Sequence, residues 1–174
     1  MLLMSMANAQ MIILEPQNRL SAGVSWSDGS LGVATSFDSR LSQIIYVNVG
    51  LFRSFQDSEL SPIDDDPQTW LAMRHGLWAA PGFRIPHRYR KKGINWDITL
   101  RGGFGAIFMD LAERKDAAII EFAGLYGADL LLKGKRKGFR STIKMFNAQP
   151  YIYEFREKVW MHRIQSTAEF FYQW

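Results

Sequence analysis

The chain has 174 residues, of which 47% are hydrophobic and 14% aromatic, and its formal net charge is +4. This length suits one domain with one core, and the absence of cysteine excludes disulfides and thiolate metal sites. No apolar stretch approaches the roughly 18 residues of a transmembrane helix, whereas membrane β-strands need only alternating hydrophobicity.

The N-terminal residues indicate a processing site. Ala7-Asn8-Ala9 is a small-x-small pattern that follows a short apolar stretch, as at a signal-peptidase site. We interpret residues 1–9 as the remnant of a signal peptide and residues 10–174 as a single domain. An ordinary apolar tail is the alternative interpretation.

From residue 18 onwards the apolar residues recur at every second position, which indicates β-strands. In the first strand these residues are Leu20, Ala22, Val24 and Trp26. Ser27-Asp28-Gly29 then predicts a tight turn. The same alternation continues through a second and a third strand.

A long polar segment, roughly residues 55–68, interrupts this pattern and predicts an exposed acidic loop. The spacing of a calcium-binding loop is missing from it. The next segment, 69–90, contains Pro81-Gly82, which fits either a turn or a bulge within one long strand. We favour the bulge because it makes the number of strands even.

The clearest interior strand covers residues 94–109, where Trp96, Ile98 and Leu100 alternate with polar residues. Further alternating segments follow, with a second bulge predicted at Gln149-Pro150. The complete set of predicted strands is 18–26, 30–37, 41–54, 69–90, 94–109, 117–133, 139–156 and 159–174.

Alternating strands joined by short turns predict an all-β fold, an antiparallel up-and-down barrel of eight strands, with ten as the alternative count. Both chain ends and the connections at 38–40, 91–93 and 134–138 then share one end of the barrel. The acidic loop lies at the other end. This arrangement of short and long connections is typical of transmembrane barrels.

The polar face of the strands supports a transmembrane barrel. It is rich in small residues and carries charges of both signs, which a narrow barrel can pair in its interior. The charges predicted to lie inside are Asp97, Arg101, Glu121, Asp129, Lys144, Arg163 and Glu169. We expect them to form a static plug, with a narrow conduit as the alternative.

The last segment carries the most specific motif. Its alternate positions are occupied by Trp160, His162, Ile164, Ser166, Ala168, Phe170, Tyr172 and Trp174. The chain therefore resembles small bacterial outer-membrane β-barrel proteins, many of which end in an aromatic residue preceded by apolar residues at every second position. The resemblance implies an outer-membrane location, contact with its lipid and lipopolysaccharide, and recognition of Phe170, Tyr172 and Trp174 by the barrel-assembly machinery.

No motif indicates a cofactor or a metal, because His–Glu metal spacing, phosphate-binding glycine loops and nucleophile elbows are missing from the sequence. The basic clusters at 88–92 and 133–137 lie beside glycines and predict charged turns, so no nucleic-acid partner is expected. His75, His87 and His162 are the candidates for catalysis, although His162 falls on the lipid-facing side.

The predicted function is a structural, adhesion or interaction role through external loops. An outer-membrane enzyme that modifies lipid A or phospholipid is the first alternative. A soluble lipid-binding barrel, with its apolar face inward, is the second.

Overall fold

The computed structural model describes residues 18–55, 71–85, 95–111, 114–152 and 156–174. The strands are β1 (Asn18–Ser27), β2 (Ser30–Arg40), β3 (Ile45–Ser54), β4 (Leu71–Ile85), β5 (Asn95–Leu111), β6 (Arg114–Lys133), β7 (Lys137–Ala148), β8 (Tyr151–Ile152), β9 (Glu157–Lys158) and β10 (Met161–Gln173). Nowhere in these ranges does a helix have the length and hydrophobicity needed to cross a membrane.

Eight strands close into an antiparallel barrel in the order β1-β10-β7-β6-β5-β4-β3-β2. The short strands β8 and β9 pair only with each other. Barrel closure is made by the first and last strands, which pair from Arg19–Gln173 to Ser27–Gln165. The predicted all-β, eight-stranded, up-and-down barrel is confirmed.

The two ends of the barrel differ. Asn18 and Trp174 exchange backbone hydrogen bonds of 3.0 and 3.1 Å at one end, which we call the terminal end. The connections 41–44 and 134–136 lie at this end as well. The second falls within the predicted connection 134–138, whereas the predicted connection 38–40 belongs to β2 and the chain turns at 41–44 instead. The predicted connection 91–93 lies outside the described residues. The opposite end, with the turn between β1 and β2, is the loop end. The predicted acidic loop, apart from Phe55, and the predicted signal remnant lie outside the described residues.

The turn between β1 and β2 has the conformation that its sequence predicts. Asp28 and Gly29 both have positive φ values, 48° and 75°. Two consecutive left-handed residues define the type I′ turn, whose twist matches that of a β-hairpin, and Asp-Gly is one of its preferred sequences.

Strand β4 passes through Pro81-Gly82 without interruption, which confirms a single strand but not the bulge predicted there. Pro81 is opposite Val47 and Gly82 is opposite Arg101 in regular register. The fixed φ of proline lies within the β region, so the strand continues through Pro81 and only loses one backbone N–H donor. The actual register shift lies between Met73 and His75.

Several predicted strand boundaries are wrong, among them the start of β3 and the end of β7. Strand β3 begins at Ile45 rather than at residue 41, because the Ser42 hydroxyl accepts a hydrogen bond from the Ile45 N–H (3.1 Å) and closes a turn. Strand β7 ends at Ala148 rather than at residue 156. The carbonyl of Pro150 instead accepts a bond from the Val159 N–H (3.0 Å), at the base of the β8–β9 ribbon.

The loop end of the barrel is oblique. Strands β4, β5 and β6 have 15, 17 and 20 residues, whereas β1 and β3 have 10 each. Strand β6 pairs with β5 from Arg114 onwards but with β7 only from Gly124 onwards. Strand β4 stays paired with β5 as far as Leu71–Leu111. The described parts of β4, β5 and β6 therefore project together beyond their pairings with β3 and β7.

The turn at Gly29 gives a test of the fold. Gly29→Ala should lower the free energy of unfolding by about 1–2 kcal/mol, because an L-residue disfavours the left-handed conformation. Equilibrium urea unfolding followed by tryptophan fluorescence measures this. Gly102→Ala is the control, since its added methyl meets only one atom, 4.0 Å away, and its φ is not left-handed. Equal effects of the two substitutions would contradict the assigned turn.

Candidate functional site

The interior of the barrel is divided into an apolar half towards the loop end and a charged half towards the terminal end. The apolar half contains Phe52, Leu71, Met73, Trp78, Ile107, Met109, Leu125, Phe146 and Met161. The Phe52 ring lies 6.5 Å from that of Trp78 and 6.0 Å from that of Phe146, measured between centroids. Gly50 permits this packing, because a Cβ there would overlap the Trp78 ring. These side chains fill the interior across its width.

The charged half is organised around Asp38. Its Oδ1 accepts a hydrogen bond from Arg101 Nη2 (2.7 Å), and its Oδ2 accepts one from Arg140 Nη1 (2.6 Å). Arg101 also pairs with Asp129, and Arg140 with Glu169. We call these residues, Asp38, Arg101, Asp129, Arg140 and Glu169, the Asp38 network. Arginine suits this role because its planar fork can bind two carboxylates at once.

The Asp38 network is buried, since the side chains of Asp38, Arg101 and Arg140 are each 1% exposed. An unpaired charge in such a place is strongly destabilising. Arg19 adds a further cation, with Nη1 3.7 Å from Asp38 and its guanidinium carbon 4.8 Å from the Phe171 ring centroid. Residues of β1, β2, β5, β6, β7 and β10 thus meet at one level of the barrel.

Three of the charges predicted to lie inside, Arg101, Asp129 and Glu169, belong to the Asp38 network. Two others lie nearer the ends. Asp97 pairs with Arg84 (2.9 Å) and Lys133 towards the terminal end. Arg163 donates to the Leu71 carbonyl (2.8 Å) at the loop end.

Lys144 and Glu121, the remaining predicted charges, lie beside the apolar half. Lys144 Nζ is 3.9 Å from the centroid of the Trp78 ring, a cation–π distance, and has no hydrogen-bond partner within the described part of the chain. Glu121 is half-buried and faces Ile107 across the β5–β6 pairing.

The sequence prediction missed Asp38 and Arg140, the central residues of the network. Asp38-Ser39-Arg40 has the composition of a turn, but β2 continues to Arg40. Arg140 shares the inward side of β7 with Thr142 and Lys144, and that alternation was the available signal.

Asp28, in the β1–β2 turn, closes the loop end of the interior. Its Oδ2 accepts a hydrogen bond from the Met73 N–H (2.8 Å), and its Oδ1 lies 3.4 Å from Arg163 Nε. Burial raises the pKa of the Asp28 carboxyl, while Arg163 and the Met73 N–H act in the lowering direction. The turn is thereby tied to both β4 and β10.

The outer wall of the barrel is apolar. On β5, Asp97, Thr99 and Arg101 are buried, whereas Phe104 is 77% exposed. Phe122 on β6 is 82% exposed. Among the described strand residues, the outward positions between Lys137 near the terminal end and Arg53 near the loop end carry no acidic or basic side chain except the imidazole of His162.

A groove of about 560 Å³ crosses this wall between β1 and β6. Its floor includes the small side chains of Ala79 and Ala106, and larger apolar side chains flank it. We call it the outer groove, lined by Leu51, Leu77, Ala79, Phe104, Ala106 and Phe122.

The described histidines lie on the outer wall. His162 is exposed and stacks on Trp160 with the rings 6.4 Å apart. His75 is half-buried, 6.4 Å from the Phe108 ring. His87 lies outside the described residues. Within the described ranges, therefore, the interior contains no histidine for a Ser–His–acid site, and no metal-binding cluster is formed.

The residues of the predicted assembly signal, Phe170, Tyr172 and Trp174, are exposed on the outer wall. Phe170 packs edge-on against Phe139 of β7 at 5.7 Å, and Trp174 lies 6.3 Å from Phe37 of β2. Phe170 and Tyr172 thus lie on β10, the strand that closes the barrel, and Trp174 directly follows it.

Comparison with solved structures finds small bacterial outer-membrane barrels. The N-terminal β-barrel domain of Pseudomonas aeruginosa OprF matches with a TM-score of 0.63 at 5% identity, over 92% of this chain and all (100%) of that one. Ail, the attachment invasion locus protein of Yersinia pestis, gives 0.49 at 13% identity, over 92% of this chain and 99% of that one. Neisserial surface protein A matches with a TM-score of 0.48 at 8% identity, over 90% of this chain and 95% of that one.

The OprF domain confirms the predicted resemblance at the level of fold, since sequence identity is low. The other two likenesses are weaker and support no argument. No protein-family model matches the sequence, and no curated protein matches it.

The Asp38 network gives a second test. Arg140→Met should lower the free energy of unfolding by about 3–5 kcal/mol, because it leaves Asp38 and Glu169 short of a partner in the interior. Urea unfolding measures the change. Lys137→Met, at an exposed position of the same strand, should change stability by no more than about 0.5 kcal/mol. A small effect of Arg140→Met would show that the network does not stabilise the barrel.

Proposed function

We propose that this chain is a bacterial outer-membrane protein that crosses the membrane as a β-barrel and acts through its loop end. The observation that carries the proposal is the distribution of side chains on β5, where the charges of Asp97 and Arg101 are buried and Leu100 and Phe104 are exposed. Soluble barrels have the opposite distribution. Lipid-facing barrels have an apolar outside and a polar inside.

The energetics of the outer wall support this proposal. Burial of a Leu or Phe side chain is worth about 1.5–3 kcal/mol, and many such residues are exposed on the wall. Soluble monomers rarely expose an apolar surface so continuous. The acyl chains of a bilayer would solvate it. The closed barrel also satisfies its own backbone hydrogen bonds, which a membrane requires.

Aromatic residues at both ends of the wall support a membrane boundary at each end. Tyr172 and Trp174 are exposed at the terminal end, and Trp26 and Trp160 are exposed towards the loop end. Tyr and Trp favour the interface between lipid and water, because their rings are both apolar and polar.

The filled interior favours a structural, adhesion or interaction role over transport. The rings of Phe52, Trp78 and Phe146 pack against one another across the apolar half. A barrel of about eight strands has just enough interior for its own side chains. We therefore assign the interaction surface to the loop end and not to a pore. Within the described residues, nothing specific favours the enzymatic alternative.

The exposed aromatic residues of β10 support a proposal about assembly. Phe170, Tyr172 and Trp174 lie on consecutive outward positions at the end of the chain. In an unfolded chain they would form one apolar edge that a barrel-assembly machine could bind before β10 pairs with β1. The same residues face lipid afterwards.

The membrane location can be tested with one outward residue. Leu100→Arg should lower folding stability in lipid vesicles by about 2–4 kcal/mol, the cost of Arg on a lipid face near the midplane. Urea titration and heat-modifiable migration in detergent gels give the readout. Leu41→Arg is the control, because Leu41 is exposed in the turn at the terminal end. A chain that stays soluble without detergent and tolerates both changes would refute the membrane location.

The assembly proposal has its own test. Trp174→Ala should reduce the heat-modifiable, assembled fraction in the outer membrane of cells several-fold. Trp160→Ala is the matched control, since both tryptophans lie on the outer wall and are 53% and 58% exposed. Equal assembly of the two variants would contradict recognition through the end of β10.

A further inference from the structure

The outer groove lies directly below an outward row of cross-strand partners in which Arg53 and His75 stand beside the apolar residues Val33, Phe108 and Ile120. Its upper edge is one row of cross-strand partners, Thr35, Leu51, Leu77, Ala106 and Phe122. The next row towards the loop end contains Arg53 and His75, which are opposite each other on β3 and β4. Successive outward residues of a strand are about 7 Å apart. The charge of Arg53 therefore lies close above the groove.

Arg53 is exposed and forms no ion pair with any described residue. A second cation, Arg74, follows just above it on the neighbouring strand, with Nη1 3.3 Å from Asp110 Oδ1. On β3 and β4, Arg53 and Arg74 are the first charged outward residues above the apolar wall. An arginine at the edge of a lipid-facing wall is costly unless it meets water or an anion.

A groove for apolar chains beneath an arginine fits an amphipathic anion. We propose that this face of β2–β6 binds the phosphorylated, acylated lipid of the leaflet at the loop end, which is lipopolysaccharide in an outer membrane. A phosphate contacts Arg53, and an acyl chain occupies the outer groove between Phe104 and Phe122. The inference rests on the proposed membrane location and assigns residues to the contact.

The chemistry favours this occupant over a second copy of the chain. Guanidinium groups bind phosphate through paired, charge-assisted hydrogen bonds. Another copy would bring the same apolar wall, which explains the groove, but Asp110, the outward carboxylate on its described strands near this level, is already paired with Arg74. A phosphorylated lipid matches both features.

The headgroup contact is tested with the full chain in detergent micelles, titrated with diphosphorylated lipid A or with the same lipid after dephosphorylation. Wild type should bind the phosphorylated form more tightly. Arg53→Gln should weaken that binding about tenfold, the size of one charge-assisted contact, and should leave the dephosphorylated lipid unaffected. Lys137→Gln, a charge removal at the terminal end, should leave both affinities unchanged. Equal affinities of wild type for the two lipids would overturn the inference.

The acyl-chain contact is tested separately. Ala106→Leu fills the outer groove and should weaken binding of both lipid forms. Ala128→Leu is the control, because Ala128 is exposed on the outer wall of β6 but does not line the groove. Should Ala106→Leu leave lipid binding intact and dissociate a dimer of the chain, the groove is an interface between copies and the inference is wrong.

Insertion into vesicles separates this inference from the proposed function. Heat-modifiable migration of every variant shows that it has folded. If wild type inserts but does not distinguish the two lipids, the lipid site is wrong and the membrane location stands. If wild type does not insert at all, both fail.

Discussion

Pairing of the buried charges around Asp38 is the constraint on which the rest of the barrel depends. Asp38 satisfies both carboxylate oxygens only when Arg101 and Arg140 reach it from β5 and β7. A register slip of one residue would turn such a charge to the outer wall. The network thus has a favourable geometry in one register only, and it fixes the barrel against sliding of its strands.

The charged half and the apolar half of the interior differ in how strictly they constrain the side chains around them. The charged half is selective, since each ion pair needs a particular partner, either on a neighbouring strand, as with Arg101 and Asp129, or across the barrel, as with Arg140 and Asp38. The apolar half, built around Trp78, is more tolerant of volume-conserving changes, but it fills the width of the barrel. With the interior occupied in these two ways, other molecules are left with the outside of the barrel, and our proposals concern its loop end and outer wall.

The fold was predictable because alternation is a local signal, and on β5 it correctly separated Asp97 and Arg101 from Leu100. Features that depend on how the strands pair were not predictable. Asp38 resembled a turn residue, since no local pattern shows that β2 extends past it. The register shift beside His75 has no signature comparable to Pro81-Gly82. The outer groove arises from residues on different strands, so only the closed barrel reveals it.

The described strands end at different heights at the loop end, so the sides of the barrel are not equivalent. Because β4, β5 and β6 extend further than β7 while the β1–β2 turn lies against Met73 of β4, the described part of the wall is taller on the β4–β6 side than on the β1–β2 side. A molecule that approaches the barrel from its side therefore meets a taller described wall at β4–β6, with Arg53 and the outer groove beside it. Contact with a partner molecule would then depend on how the barrel is rotated about its axis. Two barrels that lie side by side with different rotations would present different faces to the same partner.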